Sequence, residues 1–137
     1  MNIILIGPPG AGKGTQADFI AKKFALSRVS TGDLFRDNIK NETELGNKAN
    51  KYVNSGKLVP DTIVTEMIEN WLFQNNKNWI LDGFPRTINQ AESLDKILSS
   101  NNQILNIVLL ISVQNNILEN RLIDRQSIEN RSDDNIK

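Results

Sequence analysis

The chain has 137 residues, of which 39% are hydrophobic and 23% charged, a composition that predicts one folded globular domain rather than a disordered or membrane-embedded chain. Its 16 basic and 16 acidic side chains balance, so no basic surface for nucleic acid is indicated. Because the chain has no Cys and no His, disulfides, thiolate nucleophiles, cysteine-type zinc sites and the usual general base are excluded.

The sequence shows no sign of a membrane segment or an export signal. The longest apolar run, Ile107–Ile111, is far shorter than the ~20 residues that a membrane helix needs. The amino terminus begins with a strand-like apolar segment and has no basic leader. We therefore expect a cytoplasmic protein that binds neither membranes nor nucleic acid.

The first half of the chain alternates between strand and helix patterns. Met1–Ile6 is a continuous apolar run that predicts a buried strand, and it stops at a glycine-rich loop. Apolar residues then recur at helical spacing up to Phe24, and Leu26–Ser30 is a weaker second strand. Residues 34–60 predict short helices broken by Gly46, Gly56 and Pro60.

The second half repeats this alternation. Asp61 is the predicted N-cap of the next helix. The predicted elements are a helix at Ile63–Leu72, a strand at Trp79–Asp82, a helix at Ile88–Leu98, a strand at Ile104–Ser112 and a helix at Asn115–Arg125. Four strands separated by helices predict an α/β fold, a parallel sheet with helices on both faces. Ligands bind such sheets at the carboxyl ends of the strands, here the loops after residues 6, 30 and 82.

The first of these loops, Gly7–Thr15, matches the phosphate-binding pattern G-x-x-x-x-G-K with one departure. Gly14 stands where the pattern has Ser or Thr, and the hydroxyl follows at Thr15. Backbone N–H groups of such a loop surround phosphate oxygens, Lys13 would bridge them, and Thr15 is a candidate Mg²⁺ ligand. The alternative is a glycine-rich turn with a solvated Lys, but the preceding strand and following helix favour the phosphate loop.

Asp82 is a second candidate, because it ends a buried strand beside the phosphate loop. A carboxylate in that place is the expected partner of Mg²⁺, usually through water. The alternative is an ordinary helix N-cap.

Arg121 and Arg125 are a third candidate, because like charges four residues apart disfavour a helix unless an anion lies between them. The alternative is a solvated helix face on which Glu119 and Asp124 neutralise the pair. Arg131 adds another cation six residues further on.

Five segments, in order along nearly the whole chain, resemble adenylate kinases, which are nucleoside monophosphate kinases. They are GPPGAGKGTQ from Gly7, STGDLFR from Ser30, GKLVP from Gly56, DGFPRT from Asp82 with Gln90-Ala91, and the Arg121, Arg125, Arg131 series with Asp133-Asp134. The resemblance implies one domain over residues 1–137 with a P-loop NTPase-type core. It also implies a small helical AMP-binding flap at about 30–59 and a short lid at about 126–134.

The resemblance implies reversible transfer of the terminal phosphoryl group from Mg-ATP to AMP, giving two ADP. Its implied ATP-binding residues are Gly10, Ala11, Gly12, Lys13, Gly14, Thr15 and Arg121. Its implied AMP-binding residues are Thr31, Arg36, Lys57, Leu58, Val59, Gly83, Phe84, Pro85, Arg86 and Gln90. The implied catalytic cations are Lys13, Arg86, Arg125 and Arg131. Asp82, with Thr15, would serve Mg²⁺ largely through water, and Asp133 would be a lid carboxylate. Of the six Arg residues, only Arg28 receives no role.

Two departures from the family pattern lead to further expectations. The lid is short, and without Cys it has no structural zinc. The sequence stops at Lys137, where relatives continue with a fifth strand and more of the core, so we expect the C-terminal part of the core to be absent. The Ile104–Ser112 strand is then an uncovered hydrophobic edge. A complete chain is expected to be a monomer.

Alternative functions remain open at this point. A UMP- or CMP-type kinase is one, although the hydroxyl of Thr31 and the amide of Gln90 suit the hydrogen-bonding edge of adenine. A truncated, non-catalytic nucleotide-binding module is another. A phosphate-loop hydrolase or small-metabolite kinase is the third, and it would turn over ATP without AMP.

Overall fold

Four parallel strands and six helices make up the part of the protein that its computed structural model describes, residues 1–129. The strands are β1 (Asn2–Ile6), β2 (Ser27–Ser30), β3 (Trp79–Asp82) and β4 (Ile107–Leu110). The helices are α1 (Lys13–Phe24), α2 (Thr31–Lys40), α3 (Glu44–Asn54), α4 (Asp61–Gln74), α5 (Ile88–Ser100) and α6 (Asn115–Glu129). The predicted α/β class with four parallel strands is confirmed.

The strand order is β2-β3-β1-β4, and the register aligns the carboxyl ends of the strands. Asp82, the last residue of β3, lies opposite Leu5 on β1 and opposite Ser30 on β2. The loops after residues 6, 30 and 82 therefore meet at one edge of the sheet, as the sequence predicted.

Helices cover the sheet on both faces around β1 and β3, and the side chains of each strand alternate between the two faces. Ile3 and Leu5 point to the face covered by α1, where Ala17 is fully buried. Ile4 points to the opposite face, which packs against apolar side chains of α4 and α5 such as Ile68 and Leu94. The helices on both faces were predicted from the alternation of strands and helices.

Helices α2 and α3 pack closely over residues 31–54, next to α4. Leu45 and Ala49 of α3 are buried against Met67 of α4. Gly46 lies inside α3, and a Cβ atom there would come 2.0 Å from the carbonyl oxygen of Asn38 on α2. The prediction that Gly46 breaks a helix is wrong. The absence of a side chain is needed for the helix–helix contact instead.

The prediction that Asp61 is an N-cap is also wrong. Helix α4 begins at Asp61 itself, follows Pro60, and has no side-chain cap. The Asp61 carboxylate instead accepts hydrogen bonds from Thr87 Oγ1 (2.9 Å) and Gln90 Nε2 (2.8 Å) at the start of α5. A long-range partner thus replaces the local one.

The last two elements differ in length from the prediction. Strand β4 covers only Ile107–Leu110, whereas α6 continues past Arg125 to Glu129. The first residues of the predicted lid, 126–129, are therefore helical. The rest of the predicted lid, with Arg131 and Asp133, lies outside the described residues.

Strand β4 lies at one edge of the sheet in the described part of the chain and pairs only with β1. Val108 is 52% exposed and Leu110 is 73% exposed. The expected exposed hydrophobic edge is present there. In the same part of the chain, no helix combines the length and apolarity that crossing a membrane requires.

Candidate active site

The loops at the carboxyl edge of the sheet, together with α6, surround a cavity of about 560 Å³, here called the central cavity. The predicted site residues in its wall are Gly10, Gly12, Lys13, Gly14, Thr15, Thr31, Arg36, Asp82, Arg86, Arg121 and Arg125. The wall also contains Asp18, Arg28 and Asp33, which were not predicted. Six cationic side chains thus face three carboxylates, an excess of positive charge that attracts anions.

The glycine loop leaves the amino end of α1 open. Gly10 and Gly12 have φ angles of 81° and 89°, in the left-handed region where a Cβ atom is strained. No side chain caps the helix at Gly12, so its first N–H groups and the positive end of its dipole are available to a ligand. This geometry is suited to a phosphate group.

Lys13, the first residue of α1, bends back over the loop. Its Nζ donates to the carbonyl oxygen of Pro8 at 2.9 Å. Partial burial lowers the pKa of Lys13, the charge of Asp82 opposes this shift, and Arg86 and Arg125 add to it. Three of the four predicted catalytic cations therefore lie at one place, with Arg86 and Arg125 near enough to act on the charge of Lys13. An anion between them would stabilise these positive charges.

Asp82 is only 7% exposed at the end of β3, and its partner is a residue that the sequence did not single out. Arg28 Nη2 lies 3.2 Å from Asp82 Oδ2. Part of this contact could have been predicted from the sequence, because side chains alternate along β2 and Arg28 and Ser30 therefore share one face. The strand order was also needed, because β2 is adjacent to β3 and its Ser30 is paired with Asp82.

The residues of the site suit a magnesium ion that keeps phosphate and water ligands better than a metal ion enclosed by protein side chains alone. The described residues contain no group of three or more His, Cys, Asp or Glu side chains that could enclose a metal. Asp82 and the exposed Thr15 provide one carboxylate and one hydroxyl. Mg²⁺ is commonly held by one or two such groups, with phosphate oxygens and retained water completing its octahedron.

Arg86 connects the loop after β3 with the start of α2. Its Nε donates to the carbonyl oxygen of Gly83 at 2.7 Å, and its Nη2 donates to Thr31 Oγ1 at 3.3 Å. The buried Thr31 hydroxyl donates in turn to the same Gly83 oxygen at 3.2 Å. These bonds hold the guanidinium in the wall of the central cavity.

Gln90 is buried and supports the backbone of Arg86. Its Oε1 accepts the Arg86 N–H at 2.8 Å, and its Nε2 donates to Asp61 at 2.8 Å. Asp61 therefore stabilises the loop through Gln90, a role that the sequence pattern did not reveal. Gln90 does not line the central cavity.

Arg36 lies at the rim of the cavity. Its Nη2 donates to Asp33 Oδ1 at 2.6 Å, and Ser30 Oγ donates to the other oxygen of Asp33 at 2.7 Å. Burial alone would raise the pKa of Asp33, but the hydrogen bonds from Arg36 and Ser30 lower it below its usual value. Asp33 therefore stays ionised and holds Arg36 in place.

Several predicted residues lie outside the wall of the central cavity. Phe84 is buried in the main core, joined to Pro85 by a cis peptide bond, and Pro85 borders a different cavity. Residues 57–59 lie between α3 and α4, where Leu58 is 94% exposed. Gly83 is not in that wall, but its carbonyl oxygen accepts hydrogen bonds from Arg86 and Thr31, which are.

A second cavity of about 810 Å³, here called the side cavity, lies between the glycine loop, α1 and β4. Ala11 and apolar residues of β1, α1 and β4 line it. Arg121 borders both cavities, and its Nη1 donates to the carbonyl oxygen of Gly10 at 3.3 Å. Arg121 thus lies where the glycine loop meets the mainly apolar side cavity.

Comparisons with known proteins agree with this geometry. A family model described as adenylate kinase matches residues 5–137. The chain is 49% identical over 132 residues to an adenylate kinase of Caldicellulosiruptor bescii, covering 95% of this chain and 61% of that protein. It is 46% identical to an adenylate kinase of Kocuria rhizophila over 134 residues, covering 96% of this chain and 71% of that protein. For an adenylate kinase of Thermobifida fusca, identity is 47% over 137 residues, with coverages of 98% and 72%.

The chain therefore spans about three fifths of the length of the Caldicellulosiruptor bescii relative and somewhat more of the other two. The match extends over both halves of the site, from the glycine loop to the Arg residues of α6. The chain belongs to the adenylate kinase family.

Proposed function

We propose that the protein transfers the terminal phosphoryl group of Mg-ATP reversibly to AMP, giving two ADP. Membership of the family supports this proposal. The observation that carries it is the meeting of Lys13, Arg86 and Arg125 beside the open amino end of α1. Such an arrangement neutralises a transferring phosphoryl group from several sides.

ATP would bind with its phosphates on the glycine loop, residues 10–15. The N–H groups of the loop and α1 donate to phosphate oxygens, and Lys13 exchanges the Pro8 carbonyl for them. Arg121 lies between this loop and the side cavity, so its guanidinium plane can stack on the adenine ring. The donor nucleotide then extends from the side cavity into the central cavity.

AMP would occupy the opposite wall of the central cavity, near Thr31, Arg36 and Arg86. Arg36 and Arg86 provide forked donors for its phosphate. The segment 57–59, the loop 83–86 and Gln90 would complete the acceptor site. Gln90 already holds Arg86 by its backbone, which makes positioning part of its contribution.

The transfer itself needs positioning and charge neutralisation more than a proton acceptor. Lys13, Arg86 and Arg125, joined by Arg131, would offset the charge that develops on the equatorial oxygens. Asp82 and Thr15 would hold Mg²⁺ largely through its water ligands, and the ion would supply positive charge beside the phosphate groups of ATP. This inventory explains why a chain without His or Cys can be a catalyst.

Water must be kept from the phosphoryl group, because it would otherwise accept that group in place of AMP. We propose that the flap at about 30–59 and the short lid at about 126–134, with Asp133, close over the two nucleotides. A cytoplasmic location, a monomeric state of the complete chain and the absence of a structural zinc are further parts of the proposal.

The proposal is tested by incubating the purified protein with Mg-ATP and AMP and measuring ADP by chromatography. Two ADP per AMP consumed is the expected result. Parallel reactions with UMP, CMP or no acceptor separate the alternatives. Faster turnover with a pyrimidine monophosphate indicates a UMP- or CMP-type kinase, and ADP formed without AMP indicates a hydrolase. Nucleotide binding without product indicates a non-catalytic module.

A further inference from the structure

Arg28 occupies a position in the central cavity that the proposed function leaves unused. It extends from β2 toward three carboxylates on three other elements. Its Nη1 lies 2.9 Å from Asp18 on α1 and 3.9 Å from Asp33 on α2, while its Nη2 lies 3.2 Å from Asp82 on β3. Its Nε is buried and has no hydrogen-bond partner among the described residues.

The Arg28 contacts are unequal. Asp18, whose side chain is 69% exposed, is held at the shorter distance, whereas the buried Asp82 is held by one longer bond through the other nitrogen. Arg28 can therefore release Asp82 and keep Asp18. A buried carboxylate without a counter-charge is unfavourable, and Asp82 has two cations beside it, Arg28 in direct contact and Lys13 through its nearby charge.

Gly14 lies beside this arrangement, within ordinary contact distance. A Cβ atom at Gly14 would lie 3.4 Å from Arg28 Nη2 and 3.9 Å from Asp82 Oδ2. The position where the phosphate-loop pattern has a hydroxyl residue is thus the one that faces the ion pair. Arg28 and a divalent cation at Asp82 would occupy neighbouring space and compete for the same oxygen.

We propose that Arg28 is a positioning residue that neutralises Asp82 when no metal is bound and yields it to the divalent cation of the nucleotide. Arg28 thereby sets how tightly the site binds that cation. This inference rests on the proposed function only in assigning Asp82 to the cation side. Asp18 shares the charge of Arg28 and retains the side chain when Asp82 is released.

The test measures Mn²⁺ binding to the nucleotide-free protein through the electron paramagnetic resonance signal of free Mn²⁺. Arg28→Gln is expected to bind Mn²⁺ about tenfold more tightly than the parent protein, because one positive charge beside Asp82 is removed. Arg28→Lys, which keeps the charge, is expected to stay near the parent affinity. Lys48→Gln removes one positive charge from the exposed Lys48–Glu44 pair and serves as the matched control.

The same substitution is also tested in a protein that lacks the Asp82 carboxylate. In Asp82→Asn protein, Arg28→Gln is expected to give no gain in Mn²⁺ affinity, since the contested carboxylate is gone. A gain that persists there, or an Arg28→Gln affinity equal to or weaker than the parent affinity, overturns the inference. An equal gain in Mn²⁺ affinity in Lys48→Gln also overturns the inference, because the loss of any positive charge would then explain the gain in Arg28→Gln.

A further variant decides the case if Arg28→Gln does not fold. Asp18→Asn changes an exposed side chain and leaves Arg28 with less neutralisation, so Mn²⁺ affinity is expected to fall severalfold. An unchanged affinity contradicts the inference. Because the measurement needs no nucleotide and no turnover, a protein that forms no ADP can still show the expected ranking, and an active kinase can fail to show it.

Discussion

Replacing Arg86 with Ala separates catalysis from stability at the centre of the site. The side chain is exposed and makes two hydrogen bonds, to Gly83 at 2.7 Å and to Thr31 at 3.3 Å. Thr31 keeps Gly83 as an acceptor when Arg86 is lost. At about 1 kcal/mol per hydrogen bond, unfolding becomes easier by at most about 2 kcal/mol.

The loss of transfer rate in Arg86→Ala is expected to be much larger. Removing one group that stabilises the transition-state charge typically costs about 100- to 1000-fold in kcat. The backbone of Arg86 stays in place, because Gln90 binds its N–H rather than its side chain. The loop geometry is therefore retained while the charge disappears.

The assay for Arg86→Ala combines ADP formation at saturating Mg-ATP and AMP with a thermal unfolding curve. We expect kcat to fall by about two to three orders of magnitude. The midpoint of unfolding should move by only a few degrees. Lys48→Gln, on the surface of α3, is the control for loss of a positive charge. A variant with near-parent kcat would refute the role of Arg86, and a collapse of the fold would refute the separation of the two effects.

Three further predictions concern Gly46, Asp61 and Lys13. Gly46→Ala places a Cβ atom 2.0 Å from the carbonyl oxygen of Asn38, so α2 and α3 must separate. The free energy of unfolding, measured with denaturant, should fall by about 2 kcal/mol or more. Asp61→Ala removes the carboxylate that accepts a hydrogen bond from Gln90, and the free energy of unfolding should fall by about 1–3 kcal/mol. The KM for AMP should rise by a larger factor than kcat falls. The lowered pKa of Lys13 predicts that tripolyphosphate binding, measured by calorimetry, weakens as pH rises through that pKa, below the ordinary 10.5.

Each of these expectations has a contradicting result. Stability of Gly46→Ala equal to that of Lys51→Ala, a change on the exposed face of the same helix, would contradict the close contact of α2 and α3. An unchanged KM in Asp61→Ala would show that Gln90 holds the loop without help. For Lys13, the protonated form binds the anion, so affinity must decrease with rising pH. The same profile in Lys13→Arg would assign the titration to another group.

The elements and the phosphate loop were predictable from the sequence because they depend on local periodicity and on a contiguous motif. The contacts of Arg28, Gly46 and Asp61 were not, because each depends on which elements become neighbours. Asp61 stands where an N-cap is expected, yet its partners are 26 and 29 residues away. Gly46 resembles a helix breaker until the crossing of α2 and α3 is known.

Arg28 shows the same limit within the site. The sequence predicts that Arg28 and Ser30 lie on the same face of β2. Contact between Arg28 and Asp82 also depends on the pairing of β2 with β3, which the sequence does not give. Tertiary structure likewise decides how the predicted AMP-binding residues are exposed, since Phe84 is buried in the core and the Leu58 side chain is 94% exposed. Motif order alone assigned both to nucleotide binding.

We propose that two nucleotides bind with their phosphates facing each other in the central cavity, between Lys13, Arg86 and Arg125. The most direct measurement is the affinity of an analogue that joins two adenosines through a polyphosphate chain, determined by calorimetry with and without excess AMP. We expect it to bind about 100-fold more tightly than ATP or AMP alone, and AMP to weaken it by competition. Binding no tighter than that of ATP, and unaffected by AMP, would contradict a site in which the two nucleotides lie end to end.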